Sequence, residues 1–195
     1  IGAAIYTVEY AKRGSKLVKV VRITTETLSG IPSIVYGLFG VLFFVTAMKW
    51  DRSMLAGACT LAIMVLPTIM RTTEEALQSV PDSYREASFG LGAGKLRTVF
   101  QVVLPSAVPG ILSGVILAIG RIVGETAALI YTSGTIAKIP GSIMESGRTL
   151  ALHMWTLANE GLHEDKAYAT AVILLVLVIG INMLSSYAAR KLMKN

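Results

Sequence analysis

The chain has 195 residues, 53% of them hydrophobic and 15% charged, with a net charge of +6. Its mean hydropathy is +0.63. Soluble domains carry roughly 25% charged residues, so this composition excludes an ordinary water-soluble fold and points to a membrane protein. Cys59 is alone, which excludes an intrachain disulfide, and His153 and His163 lack metal-ligand spacing. No metal or cofactor is expected. The positive charge fits basic loops at a membrane surface, in contact with lipid, and no nucleic-acid partner is expected.

A spanning helix needs about 20 mostly apolar residues. Residues 1–8 read as the tail of an earlier span, so part of the bundle is expected upstream of Ile1. A basic loop over 9–30 follows, with Lys12, Arg13, Lys16, Lys19 and Arg22. The run IPSIVYGLFGVLFFVTAM, 31–48, predicts a span that Pro32 helps to start. SMLAGACTLAIMVLPTIM, 53–70, predicts the next, kinked by Pro67. Residues 72–101 form a loop, and 102–131 is apolar apart from Arg121 and Glu125. As one helix that run would be roughly 45 Å long, beyond a hydrocarbon core of about 30 Å, so it must tilt, kink near Pro105 and Pro109, or protrude. Residues 132–168 predict an external segment with a short amphipathic helix bearing Leu150, Met154, Leu157 and Ala158. The last span is 169–189.

Loop charge orients the spans. The loop over 9–30, the residues Arg71, Arg85, Lys95 and Arg97, and the tail with Arg190, Lys191 and Lys194 all fall on one side. Lys49, Arg52, Lys138, Arg148 and Lys166 fall on the other. The first side, with the 72–101 loop and the C-terminus, is expected to be cytoplasmic.

The stretch SYREASFGLGAGKLRTVFQVVLP, 83–105, admits three readings. A phosphate-cradling loop fails, because Leu96 follows Lys95 where a hydroxyl is needed and no strand precedes the glycines. A solvated loop held by lipid headgroups through Arg85, Lys95 and Arg97 is the plain alternative. The third is a docking helix, capped by Asp82 or Ser83, with Glu86 in its first turn and Tyr84, Ala87, Ser88 and Leu91 on one face. Gly90 or Gly92 would end it and permit close approach of a partner surface.

Glu86-Ala87-Ser88, Gly92 six positions after Glu86, and Val102-Val103-Leu104-Pro105 together resemble the EAA signature of ABC importer permeases. Ser88 replaces the second Ala and Val102 the Ile. GIPSIVYGLFG at 30–40, LPTIMRTTEEAL at 66–77 and GRIVGETAALIYTSG at 120–134 are similar to the A-type permease subunits of phosphate-specific importers. The similarity covers most of 28–134. It implies an all-α polytopic transmembrane helix bundle of the MetI-like permease type, with an N-terminal part missing. It also implies a coupling role toward an ATPase for Glu86, Ala87, Ser88, Gly92, Leu104 and Pro105. The implied partners are a cytoplasmic ATP-binding cassette ATPase, a second permease subunit, an external phosphate-binding protein and phosphate itself. No catalytic residue is expected in this chain.

Arg121 and Glu125 stand four residues apart and predict a pair on one helix face. Such a pair either neutralises itself within the bundle or lines the translocation path, where Arg121 offers fixed positive charge to an oxyanion. The resemblance favours the path. Gly37, Gly40, Gly57, Gly110 and Gly114 predict close helix contacts. Together with the resemblance, the chain is expected to be the transmembrane subunit of an ATP-driven importer, moving inorganic phosphate inward. The alternatives are a permease for another oxyanion or small solute such as molybdate or sulfate, and a channel or scaffold that needs no ATPase.

Overall fold

A computed structural model describes residues 1–12, 14–161 and 163–194, apart from the side chains of 188 and 190–194. Arg13 and the side chains of Arg190, Lys191 and Lys194, counted above as tail and loop charge, lie outside the described residues. The regular elements among the described residues are helices. They are α1 (Gly2–Ile5, continued by a π-helical turn Tyr6–Tyr10), α2 (Lys16–Ser29) and α3 (Ser33–Gly40, continued by π-helical Val41–Ala47). Then come α4 (Met54–Gln78), α5 (Asp82–Gly90) and α6 (Lys95–Thr98, continued by π-helical Val99–Val103). The rest are α7 (Leu104–Val123), α8 (Ala127–Thr132), α9 (Leu150–Glu160) and α10 (Glu164–Lys194).

Local chemistry sets several of these ends. The Ser53 hydroxyl accepts the Ala56 amide at 3.2 Å and caps α4. Pro32 occupies the N-cap of α3, so it starts a helix, as its position suggests. The Thr149 hydroxyl accepts the Leu152 amide and caps α9, which ends on Gly161 at φ 66°. Glu164 and Asp165 place negative charge in the first turn of α10.

Among the described residues three helical stretches are long and apolar enough to cross a membrane: Met54–Gln78, Lys95–Val123 and Glu164–Tyr187. They differ from the sequence expectation in extent. The second begins at Lys95, not 102, and stops at Val123, with α8 a separate helix. Residues 31–48 yield 8 helical residues continued by 7 more, roughly 22 Å of rise, too short to span alone. They qualify only when counted with α2 as one broken span. The basic segment 9–30 is largely helix α2, not loop; its apolar residues Leu17, Val20 and Ile23 are exposed. Pro67 lies inside α4, which runs through it.

The chain packs as two compact units. The first comprises Ile1–Ser29, Leu66–Ala118 and Leu184–Asn195. Its core joins Ile5, Ala76, Leu77, Val80, Val99, Val103, Ala107 and Ile111. Gly110 and Gly114 of α7 lie against Ala76 and Thr72 of α4, so close that a Cβ at Gly114 would overlap the Thr72 side chain. This GxxxG pair therefore packs within the chain.

The second unit comprises Gly30–Val65 and Ile119–Met183. Here α3 lies directly on α8: a Cβ on Gly37 would come within 2.9 Å of the Ala128 Cα. Thr60, Ala128 and Thr132 are buried around that contact. The amphipathic helix expected in 132–168 is α9, but it buries Ala151, Leu152 and Leu157, while Leu150 and Ala158 are exposed.

Candidate functional site

The helix in the 79–94 stretch starts from a proline. Pro81 takes the N-cap of α5 with φ −57° and ψ 140°, and no side chain caps the helix. This corrects the expectation of a cap by Asp82 or Ser83: Pro81 has its φ fixed by its ring and its carbonyl accepts the Tyr84 amide at 3.1 Å. The Asp82 carboxylate instead accepts from Arg85 Nη1 at 3.2 Å.

The far end of α5 closes on glycine. Gly92 has φ +81°. The Gly92 amide donates to the Phe89 carbonyl at 2.9 Å and the Ala93 amide to the Ser88 carbonyl at 3.1 Å. That is the Schellman arrangement, with Gly92 as the left-handed residue after the helix. Gly92 is thus the stop of the helix. A Cβ at Gly90 or Gly92 would meet nothing within 4 Å in this chain, so both glycines border open space.

The faces of α5 differ. Glu86, Ala87, Tyr84 and Phe89 are exposed, and Leu91 just beyond the helix is 90% exposed. Ser88 and Arg85 are half-buried on the opposite side. The Ser88 hydroxyl shares a 2.9 Å hydrogen bond with the Thr98 hydroxyl, and Thr98 is buried. The sequence grouped Ser88 with Tyr84, Ala87 and Leu91; the structure places it beside Arg85, three residues earlier on the packed side of the helix, where its hydroxyl meets Thr98 of α6.

Val99–Val103 links α6 to α7 as a π turn, closed by the Leu104 amide on the Val99 carbonyl. Pro105 follows directly after the π turn, at the second residue of α7. Leu104 packs against the core of the first unit, and Pro105 is exposed.

Arg121 and Glu125 do not share a helix. α7 ends at Val123, and Glu125 lies in the turn before α8. Glu125 Oε1 accepts the Ala128 amide at 3.2 Å, serving the open end of α8. No ion pair joins it to Arg121 among the described residues, whose pairs lie elsewhere. The helix stops because Gly124 breaks it, and the i,i+4 geometry is lost with it. Arg121 itself is exposed, close enough to Tyr36 for an electrostatic interaction. Asn182 of α10 lies beside Gly120, its Oδ1 3.5 Å from the position of an added Cβ. The sequence reading missed Asn182, although a lone amide within the apolar run 169–189 is the kind of residue that signals a site.

Two further residues were passed over. Arg85 was read as loop charge, yet it is 15% exposed and pairs with Glu9, 8% exposed, at 2.7 Å. Lys95 lies over the Tyr10 ring, 5.2 Å from its centroid.

The sequence profile of the family described as "binding-protein-dependent transport system inner membrane component" matches residues 1–193. The chain is 35% identical over 210 residues to the probable ABC transporter permease protein YqgI of Bacillus subtilis, covering 100% of this chain and 71% of that one. It is 35% identical over 183 residues to the phosphate transport system permease protein PstA of Mycobacterium leprae, covering 92% of this chain and 60% of that one. It thus spans well under the full length of both. A chain of the inward-facing MetNI methionine ABC transporter superposes with a TM-score of 0.79 at 22% identity, covering 97% of this chain and 84% of that one. That likeness shows the all-α permease fold.

Proposed function

The chain belongs to the binding-protein-dependent transport system inner membrane components, and from that premise we propose that it is the transmembrane subunit of an ATP-driven importer of inorganic phosphate. The observation that carries the reading is α5: a short helix stopped by Gly92, exposed on its Glu86–Ala87 face and bonded on the other. Such a helix suits a groove in another protein. ATP is hydrolysed on that partner, and this chain contributes no catalytic group. The EAA-type loop and the C-terminus face the cytoplasm, following the clustering of Lys and Arg.

In this reading the displacement of α5 enters α6, crosses the π turn and the Leu104–Pro105 step, and reaches Arg121 along α7. Arg121 presents a permanent charge and several donors to an oxyanion. With Glu125 turned to α8, no carboxylate competes for the guanidinium. A single exposed arginine also holds phosphate loosely enough to release it, as conduction requires. The partners are an ATP-binding cassette ATPase, a second permease subunit and an external phosphate-binding protein. Likeness to a phosphate permease supports phosphate. Likeness to a permease named without a solute supports the second reading, another oxyanion or small solute.

Two measurements test this. Cells carrying the full-length subunit should take up labelled phosphate and not molybdate or sulfate; the reverse preference selects the second reading. Gly90→Trp adds bulk where this chain leaves space and its backbone is ordinary, so it should abolish co-purification with the ATPase while the subunit still inserts. Normal uptake by Gly90→Trp sinks the docking role, and conduction without any ATPase would make the protein a channel.

A further inference from the structure

We infer that Arg85 is a positioning residue that clamps α5 to the end of α4 and to the N-terminal segment, so that α5 transmits displacement instead of absorbing it. The inference rests on the docking role of α5. It concerns a residue that the docking face does not include.

One guanidinium ties three segments together. Its Nη2 and Nε donate to the Glu9 carboxylate at 2.7 and 3.2 Å. Nη2 also donates to the Leu77 carbonyl at 3.0 Å, and Nη1 to the Val80 carbonyl at 2.7 Å. Asp82 Oδ1 completes the set at 3.2 Å. Leu77 lies in the last turn of α4, whose carbonyls have no partner within the helix. Val80 lies in the short connection to α5. Arg85 therefore caps α4, pins the connection and pairs with Glu9 at once. Both ends of the ion pair are largely buried, so solvent screens it little.

The second tie is Ser88, three residues on and on the same face, bonded to Thr98 at the entry to the crossing helix. With both in place, α5 is fixed at its start and near its end, and the connection over 79–81 has no freedom to hinge. Lysine could not replace the arginine. A single ammonium lacks the planar fork that spans a carboxylate and two carbonyls.

The test uses the full-length subunit assembled with its partners in lipid nanodiscs. Arg85→Gln and Glu9→Gln should each raise amide exchange across 82–92 at least about tenfold while 104–118 stays unchanged. General loss of fold would raise both. Arg85→Lys keeps a charge for Glu9 and should fall between. In the same assemblies, ATP turnover stimulated by phosphate-loaded binding protein, relative to unstimulated turnover, should drop at least about twofold in Arg85→Gln. Unchanged exchange over 82–92 in Arg85→Gln, or an unchanged stimulation ratio, overturns the clamp. If the wild-type chain neither binds an ATPase nor responds to phosphate, the proposed function fails, and the exchange measurement alone decides whether Arg85 anchors α5.

Discussion

Arg85 commits its guanidinium to Glu9, Asp82 and two backbone carbonyls, whereas Arg121 is exposed with no ion-pair partner among the described residues. Each arginine has a glutamate that could serve it. Glu125 stands four positions from Arg121 and does not pair; Glu9 stands 76 positions from Arg85 and does. The i,i+4 spacing of Arg121 and Glu125 brings two side chains together only where one helix runs through both residues. The fold decides, and here it leaves one arginine engaged with its neighbours and the other exposed, which in the proposed function makes it available to an anion.

The largest expected effect follows from that availability. Arg121→Ala should lower phosphate uptake at least about tenfold, because hydrogen bonds to charged groups contribute about 1.5–3 kcal/mol. Its thermal stability in detergent should change by no more than about 0.5 kcal/mol. A large stability loss would mean that Arg121 is structural after all and would erase the contrast.

Arg85→Ala is the converse. It strands a largely buried Glu9 carboxylate, and stability should fall by up to about 3 kcal/mol. Adding Glu9→Ala should recover part of the loss, since the stranded charge is then gone.

Glu125→Ala should cost about 0.5–1 kcal/mol through the lost acceptor at α8, with Glu125→Gln closer to wild type. Combined with Arg121→Ala, the effects should add within about 0.5 kcal/mol. A coupling larger than that would reinstate the pair.

The smallest effect lies in the segment between α8 and α9. The Lys138 hydrogen bond, and then the Gly141 amide, hold the Glu145 carboxyl below its ordinary range. A lowered carboxyl stabilises the folded loop above its unfolded pKa, and that contribution is lost as pH falls through the folded value. The Gly141 amide resonance should shift across that window, and Glu145→Gln should abolish the shift.

Much of this was legible in the residues. The Glu86–Gly92 spacing marks α5 and its end, because glycine punctuates helices through its backbone freedom, whereas the cap falls on Pro81 and not on Asp82 or Ser83. Gly37, Gly110 and Gly114 sit where helices touch, as small residues in apolar runs suggest. The end of α7 was not legible. Apolar residues run from Val102 to Tyr131 on both sides of Gly124, and hydropathy carries no mark of a break between two apolar helices. Helix α2 was hidden by its lysines, whose charge reads as loop although spaced lysines suit a helix surface. The Arg85–Glu9 contact depends on how α1 and α4 pack, which no local pattern encodes.

The π turn at Val99–Val103 gives the chain a store of slack immediately before α7. An α-helix advances about 100° per residue, so deleting one residue anywhere between Ser106 and Gly120 would swing the Arg121 side chain to another quarter of the helix. A deletion within the π turn can be absorbed by tightening that turn to ordinary α geometry. In this chain a one-residue deletion should therefore be borne best by the five residues ahead of Leu104, where the azimuth of Arg121 is kept.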